Sequence, residues 1–255
     1  MAVLGIIQAR LGSTRLPSKI LAPLAGRPML ELITHRLRLS RVQEWWLATS
    51  SDPADDVTES WGHGLGLRVF RGEDENVLSR FTAIIRAREP EWIVRITADN
   101  PFISAEAVDL LLDARVPFGK DHPLIEFAAK ADGSRQLPLG FGPQLARAEA
   151  VLASEDEIPE DQPHHRTHVL SWLAQSCAAK CCPVPDHWPA RPEWRWTVDT
   201  FADLAMARSA FALFEAHSSD RAIAIHYSEM VALLDAHPEI VAQNNGVEQK
   251  QLVEG

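Results

Sequence analysis

Three cations and two aspartates stand out in this sequence for the chemistry that their settings allow. Arg10, Arg15 and Lys19 are interleaved with Gly12, Ser13, Thr14 and Pro17 in the run Gln8-Ala9-Arg10-Leu11-Gly12-Ser13-Thr14-Arg15-Leu16-Pro17-Ser18-Lys19. Gly12 lets the backbone approach an anion closely, and successive amides around residues 12–14 can form an anion-binding nest. Arginine brings forked contacts to phosphate oxygens and lysine a point charge. Such a loop suits a triphosphate. Asp99 follows an apolar stretch and precedes Asn100-Pro101, and Asp199 follows residues 194–198 and precedes a helical pattern. Two carboxylates placed in this way are hard ligands for Mg²⁺ bridging phosphate oxygens. Such an ion neutralises charge on an α-phosphate and on departing pyrophosphate. Each aspartate also has an ordinary structural use, as a turn former or a helix cap. Asp203, one turn into the following helix, is read as favouring the positive helix N-terminus.

Rival chemistries lack their patterns. There is no Gly-x4-Gly-Lys-Ser/Thr and no Gly-x-Gly-x-x-Gly, which removes the Walker loop and the dinucleotide fingerprint. His164-His165-Arg166-Thr167-His168 has no partner ligands at metal-site spacing. The three cysteines, Cys177, Cys181 and Cys182, lack paired zinc spacing, and their odd count argues against a disulfide framework. They are read as inert thiols. Arg95 lies within an apolar strand and needs an acidic partner or a ligand, whereas Arg80 reads equally well as a solvated helix charge.

The elements that must position these residues follow from periodicity. Short apolar runs at 3–8, 45–49, 68–71 and 92–96 read as strands. Helical patterns occupy 28–39, a segment opening after Ser50-Ser51-Asp52-Pro53, 76–88 and 105–115. The alternation implies one three-layer α/β/α domain with a mainly parallel sheet. In such sheets ligands collect at the carboxyl ends of strands, where residues 9–19 and Asp99 fall. The rhythm breaks over 116–142, read as an insertion or dimerisation region. Residues 164–176 are expected to be helical, 194–198 a late strand, and 201–216 and 228–236 helices. The C-terminal tail is placed at 240–255; after Asn245 it is polar and expected to be mobile.

The whole chain sets broader bounds. Its 255 residues, 46% hydrophobic and 24% charged, suit a globular α/β protein. The formal charge of −10, from 25 basic against 35 acidic residues, is the wrong balance for wrapping a nucleic acid polymer. A basic cluster before Glu31 in an acidic protein suits a small, highly charged anion instead. Apolar runs fall short of the ~20 residues of a membrane helix. A cytoplasmic location is expected.

The signature run closely resembles the loop of the cytidylyltransferases that make CMP-activated sugar acids. The spore-coat polysaccharide biosynthesis branch is the nearest match, and sialic acid and Kdo activating enzymes are more distant. The resemblance continues through Phe70-Arg71-Gly72-Glu73-Asp74-Glu75-Asn76-Val77-Leu78 and Arg95-Ile96-Thr97-Ala98-Asp99-Asn100-Pro101. It returns at Arg166-Thr167-His168-Val169, Thr197-Val198-Asp199-Thr200 and Glu248-Gln249-Lys250.

The resemblance implies a nucleotide-diphospho-sugar transferase-like fold (Rossmann-like, GT-A type), CTP as substrate, Mg²⁺, a small anionic acceptor and a homodimer. It further implies nucleotide binding by Ala9, Arg10, Gly12, Ser13, Thr14, Arg15, Lys19, Arg71, Gly72 and Asp99. Arg10, Arg15, Lys19 and Asp99 would be catalytic, Asp99 and Asp199 metal ligands, and Arg166 and His168 acceptor-binding. The tryptophans Trp45, Trp46, Trp172, Trp188, Trp194 and Trp196 offer apolar area for a dimer contact, or fill the core. Thr167 stands where relatives tend to have an acid, and Gly140-Phe141-Gly142 where they carry Gly-hydrophobic-Asp. These departures bear on the acceptor. Alternatives are a nucleotidyltransferase for another base, a GT-A glycosyltransferase, or a nucleotide-binding protein without turnover.

Overall fold

In the computed structural model, residues 2–118, 122–130, 134–176, 180–217 and 221–250 are described. β1 (Val3–Gln8) leads into the signature loop and a 3₁₀ turn at Lys19–Leu21. A small antiparallel hairpin follows, β2 (Pro23–Leu24) and β3 (Arg27–Pro28). Its tip uses Ala25 and Gly26, both at positive φ (51° and 70°), the conformation that two-residue hairpin loops require. Next come α1 (Met29–Leu37), β4 (Trp45–Ser50), α2 (Asp56–Gly64), β5 (Arg68–Gly72), α3 (Val77–Arg88), β6 (Trp92–Thr97) and α4 (Ala105–Phe118). The second half supplies β7 (Leu124–Phe127), β8 (Gln144–Arg147), α5 (Ala148–Glu157), α6 (His164–His168), α7 (Ser171–Ser176) and β9 (Lys180–Cys182). It closes with α8 (Phe201–His217), α9 (Arg221–Ala224), α10 (Tyr227–Asp235) and α11 (Pro238–Val241).

The strand order is β5-β4-β1-β6-β8-β7-β9, and β8 alone runs against the others. The sheet is therefore mainly parallel, as the alternation implied. Both faces are covered. Leu4, Ile6, Ile93, Leu124 and Ala146 pack with α3, α5 and α7, whereas Ile7, Val94, Ile96, Ile125 and Leu145 pack with α1, α4, α8 and α10. Burial on both faces is why β1 and β6 read as unbroken apolar runs. Gly5 is required at the centre, because a Cβ there would lie 2.2 Å from the Trp45 ring. Arg36, fully buried on α1, donates to the carbonyls of Ile103 (2.6 Å) and Ala222 (2.6 Å), tying α1 to the segment before α4 and to α9. Burial pushes its pKa down to about 9.

Several expectations need correction. Residues 194–198 are extended but form no ladder within the sheet. Their backbone exchanges bonds with Leu139 (2.9 and 2.7 Å), and Val198 N–H donates to Asp99 O at 2.8 Å. Residues 164–176 break into α6 and α7 at Val169 (φ 53°, ψ −67°). The 116–142 region contributes β7 to the main sheet, and residues 119–121 and 131–133 within it lie outside the described residues, as does Cys177. The side chain of Cys182 is buried, with its sulfur 3.9 Å from the Leu110 carbonyl oxygen. Trp45, Trp188, Trp194 and Trp196 are buried core residues, so they offer no apolar area for a dimer contact. Among the described residues no helix is long and apolar enough to cross a membrane.

Candidate active site

The signature loop is built from its base upward. Ala98 N–H donates to Gln8 O (2.9 Å) and Ala9 N–H to Ala48 O (3.2 Å), so the loop leaves the sheet beside the ends of β6 and β4. Leu16 and Ile20 are buried and anchor its far end. The peptide groups of Leu11 are clamped on both sides. Its N–H donates to Asp55 Oδ1 at 2.8 Å, and its carbonyl accepts from Ser13 N (2.7 Å) and Ser18 N (3.2 Å). Asp55 is itself buried and also accepts from Thr58 Oγ1 (2.8 Å) and from Ser50 Oγ. Because Ser13 N–H turns back to Leu11, it leaves the expected nest. Among the described residues the amides of Gly12, Thr14 and Arg15 have no acceptor, and they remain as donors for an anion.

Above these amides opens a cleft of roughly 370 Å³. Its walls include Ala9, Arg10, Gly12, Ser13, Thr14, Arg15, Lys19, Asp99, His168, Asp199 and Lys250. That volume lies in the range of small-molecule sites. The bond from Val198 N–H to Asp99 O brings the two aspartates together. Lys19 Nζ lies 2.8 Å from Asp99 Oδ2 and 2.8 Å from Asp199 Oδ1. Burial works against the Lys19 charge, but the two carboxylates outweigh it and raise its pKa. Burial likewise favours a neutral Asp99, yet the Lys19 ammonium and bonds from Thr97 and the backbone hold it below the usual carboxylate range. The side chain of Asp99 keeps 26% of its surface open to the cleft.

Asp199 is supported from behind. Its Oδ2 accepts from Arg195 Nη2 (2.7 Å) and lies 3.3 Å from Arg15 Nη2. Arg195 Nε in turn donates to the buried Asp203 at 2.9 Å. Asp203 Oδ2 accepts from the Thr200 amide (2.9 Å) while Thr200 Oγ1 accepts from the Asp203 amide (3.3 Å), a reciprocal capping box at the start of α8. Asp203 thus serves the helix N-terminus, as the sequence suggested, and also orients the arginine behind Asp199. Asp99 Oδ2 and Asp199 Oδ1 converge on a single point. Two hard oxygens there suit Mg²⁺ if phosphate oxygens complete the coordination. Among the described residues no group of three or more His, Cys, Asp or Glu side chains is arranged to hold a metal.

The loop after β5 is organised by arginines. Arg80, fully buried on α3, donates to the carbonyls of Glu73 (2.7 Å) and Asp74 (2.6 Å), so it is not the solvated helix charge it resembled. Gly72 lets it pass, since a Cβ there would lie 2.9 Å from Arg80 Cγ. Arg10 reaches across from the signature loop to Asp74 (2.8 Å). Arg71 does not reach the cleft. Its guanidinium turns toward α2, where Asp56 (2.6 Å), Glu59 (2.8 Å) and the carbonyls of Ser50 and Asp52 take its donors. Neither Arg71 nor Gly72 lines the cleft.

On the opposite wall, Thr167 and His168 line the cleft, and Thr167 Oγ1 donates to Glu75 O at 3.1 Å. Val169 is the centre of a γ-turn closed by Leu170 N–H to His168 O (2.6 Å). Positive φ is costly for a β-branched residue, and strain of this kind collects at functional sites. Arg166 donates to Glu155 O at 3.1 Å and is not among the residues that line this cleft.

Sequence reasoning missed Asp55, the second role of Asp203, and Lys250. No reading of the sequence singled out Asp55, and the Glu248-Gln249-Lys250 match carried no role.

Comparisons with known proteins agree on one family. A family model described as cytidylyltransferase matches residues 4–116. The spore coat polysaccharide biosynthesis protein SpsF of Bacillus subtilis is 33% identical over 250 residues, covering 94% of this chain and 97% of that protein. The 3-deoxy-manno-octulosonate cytidylyltransferase of Francisella tularensis subsp. novicida is 31% identical over 115 residues, 42% of this chain and 45% of that protein. A solved cytidylyltransferase structure from Leptospira borgpetersenii superposes with a TM-score of 0.83 at 25% identity, covering 98% of this chain and 100% of that one.

Proposed function

This chain belongs to the cytidylyltransferase family, and from that premise we propose that it transfers CMP from CTP to a small anionic acceptor with release of pyrophosphate. The acceptor class is a sugar acid, or a phosphate or phosphonate compound. The observation that carries the reading is the convergence of Asp99 and Asp199 on Lys19, in the same cleft as the open amides of Gly12, Thr14 and Arg15. An acceptor oxygen attacks the α-phosphorus in line. The bond from that phosphorus to the oxygen bridging to the β-phosphate breaks, pyrophosphate leaves with the electron pair, and the acceptor proton passes to solvent.

The chain's own groups act by position and charge. The loop amides bind phosphate oxygens. Arg15 and Lys19 stabilise the charge that grows on the leaving group. Arg195 and Asp203 fix the Asp199 carboxylate. Mg²⁺, held by Asp99 and Asp199, would supply further charge neutralisation on the phosphates. His168 and Thr167, on the wall across from the loop, face the acceptor, and the departure at Thr167 bears on which acceptor fits.

The proposal includes a cytoplasmic setting. Assembly as a homodimer rests on the family resemblance, and light scattering showing only a 28.3 kDa species would reject it. The function itself is tested by pyrophosphate release from each of four nucleotides against sugar acids, sugar phosphates and phosphonates. CTP with one acceptor class should release pyrophosphate. Release from no combination would overturn the proposal.

A further inference from the structure

Residues 244–250 return to the cleft. After α11, Asn244 is buried and donates to Arg195 O (2.9 Å) and Asp203 Oδ1 (2.9 Å). Val247 N–H closes a turn onto Asn244 O at 3.1 Å. Gln249 Oε1 then accepts from Arg195 Nη1, and Lys250 lines the cleft. Residues 244–250 are therefore a strap, pinned at both Asn244 and Gln249 to the arginine that orients Asp199, rather than a free tail.

The cleft cations differ in their pairing. Arg10 is held by Asp74, Arg15 by Asp199, and Lys19 by Asp99 and Asp199. Lys250 has no carboxylate partner among the described residues. A triphosphate brings about four negative charges into a site whose other cations are partly neutralised by protein carboxylates. An ammonium on a flexible stem is well suited to follow charge that shifts between phosphates.

We propose that Lys250 is a fourth phosphate-binding cation, carried into the cleft by the C-terminal strap, and that Gln249 is the positioning residue that docks the strap on Arg195. The inference rests on the cytidylyltransferase reading and adds a ligand group to the site. The anion it meets is the polyphosphate of the nucleotide rather than the acid group of the acceptor.

Calorimetric titration with CTP, CDP and CMP in the absence of acceptor tests this on the full chain. Lys250→Met should weaken CTP binding by about tenfold, as expected for a lost charged contact, and leave CMP within about twofold, where no such contact is lost. Lys250→Arg should restore most of the difference, and Gln249→Ala should weaken CTP binding by a smaller factor. The thermal midpoint of Lys250→Met should match wild type, because the side chain is exposed. Unchanged CTP affinity, or equal losses for CTP and CMP, would overturn the proposal. So would an effect of Lys250→Met confined to the KM of the acceptor. Failure of the wild-type protein to bind CTP would instead sink the cytidylyltransferase reading.

Discussion

The ammonium of Lys19 stands between two carboxylates from distant parts of the chain, 2.8 Å from Asp99 Oδ2 and 2.8 Å from Asp199 Oδ1. These oxygens are the ones proposed to hold a divalent cation, and lysine and such an ion would compete for one position. Lys19→Met removes the shared counter-charge. The ion-free protein should lose about 2 kcal/mol, less than a sealed ion pair because the cleft admits water. That corresponds to roughly 4–8 °C in thermal midpoint. Millimolar Mg²⁺ should raise the midpoint of the variant more than that of wild type. Equal responses in a thermal scan would contradict a shared position.

The two aspartates should separate when each is changed to asparagine. Both should lower kcat by about 10²–10³, the scale of a lost transition-state electrostatic contact. Simple relief of like-charge repulsion would predict that both variants keep their stability. The pairing around Asp199 argues otherwise, since it holds Lys19, Arg15 and the buried Arg195 together. Asp99→Asn leaves Lys19 a carboxylate and should unfold near the wild-type midpoint, whereas Asp199→Asn should unfold several degrees lower. Steady-state kinetics and thermal unfolding on the same preparations check both halves of the prediction.

Asp55 fixes the signature loop through the backbone of Leu11. In Asp55→Ala the Leu11 amide loses its acceptor and the loop its fixed entry, so the KM for CTP should rise by about tenfold or more. In Asp55→Asn the remaining carbonyl oxygen can still accept from that amide, and most of the affinity should return. If the two variants bind CTP alike, the bond to Leu11 does not set the loop.

Gly140 has φ of +90°, and a Cβ there would lie 2.6 Å from Thr197 N and 2.8 Å from Asn100 Oδ1. Gly140→Ala therefore strikes the segment that brings Asp199 beside Asp99. A cost above about 2 kcal/mol is expected from the backbone conformation and the overlap together. Denaturant unfolding measures it directly. A variant as stable as wild type would mean that the 197–199 segment shifts freely, and with it the carboxylate pair.

Where the sequence was legible, local physics and the fold agreed. The strands from Val3 to Thr97 are short apolar runs bounded by turns, and helical spacing marked Met29, Leu30, Ile33 and Leu37, all of which are fully buried. Residues 9–19 with Asp99 declared an anion site through residue type and position at strand ends. What escaped depended on long-range partners. Residues 194–198 have strand-like composition, but Leu139 and Asp99 take their backbone bonds. Arg71 ends a strand as a ligand would, yet the acids of α2 claim it. No local pattern announces that Val169 must adopt positive φ, or that Gln249 meets Arg195 across 54 positions.

The partners that make the cleft are 80 and 180 positions apart for Lys19 and its two aspartates. Contacts of such separation carry a large loop-closure entropy and form slowly in a folding chain. Lys19 and Asp99 are no farther apart in the chain than the paired strands β1 and β6, so the Asp199 side of the cleft is the part expected to close late, and a chain collapsed around β1, β4 and β6 alone would lack it. Ligand capture during refolding would time the final docking of the second half onto the first. A nucleotide present at many times its dissociation constant would hold that docked state in place by mass action.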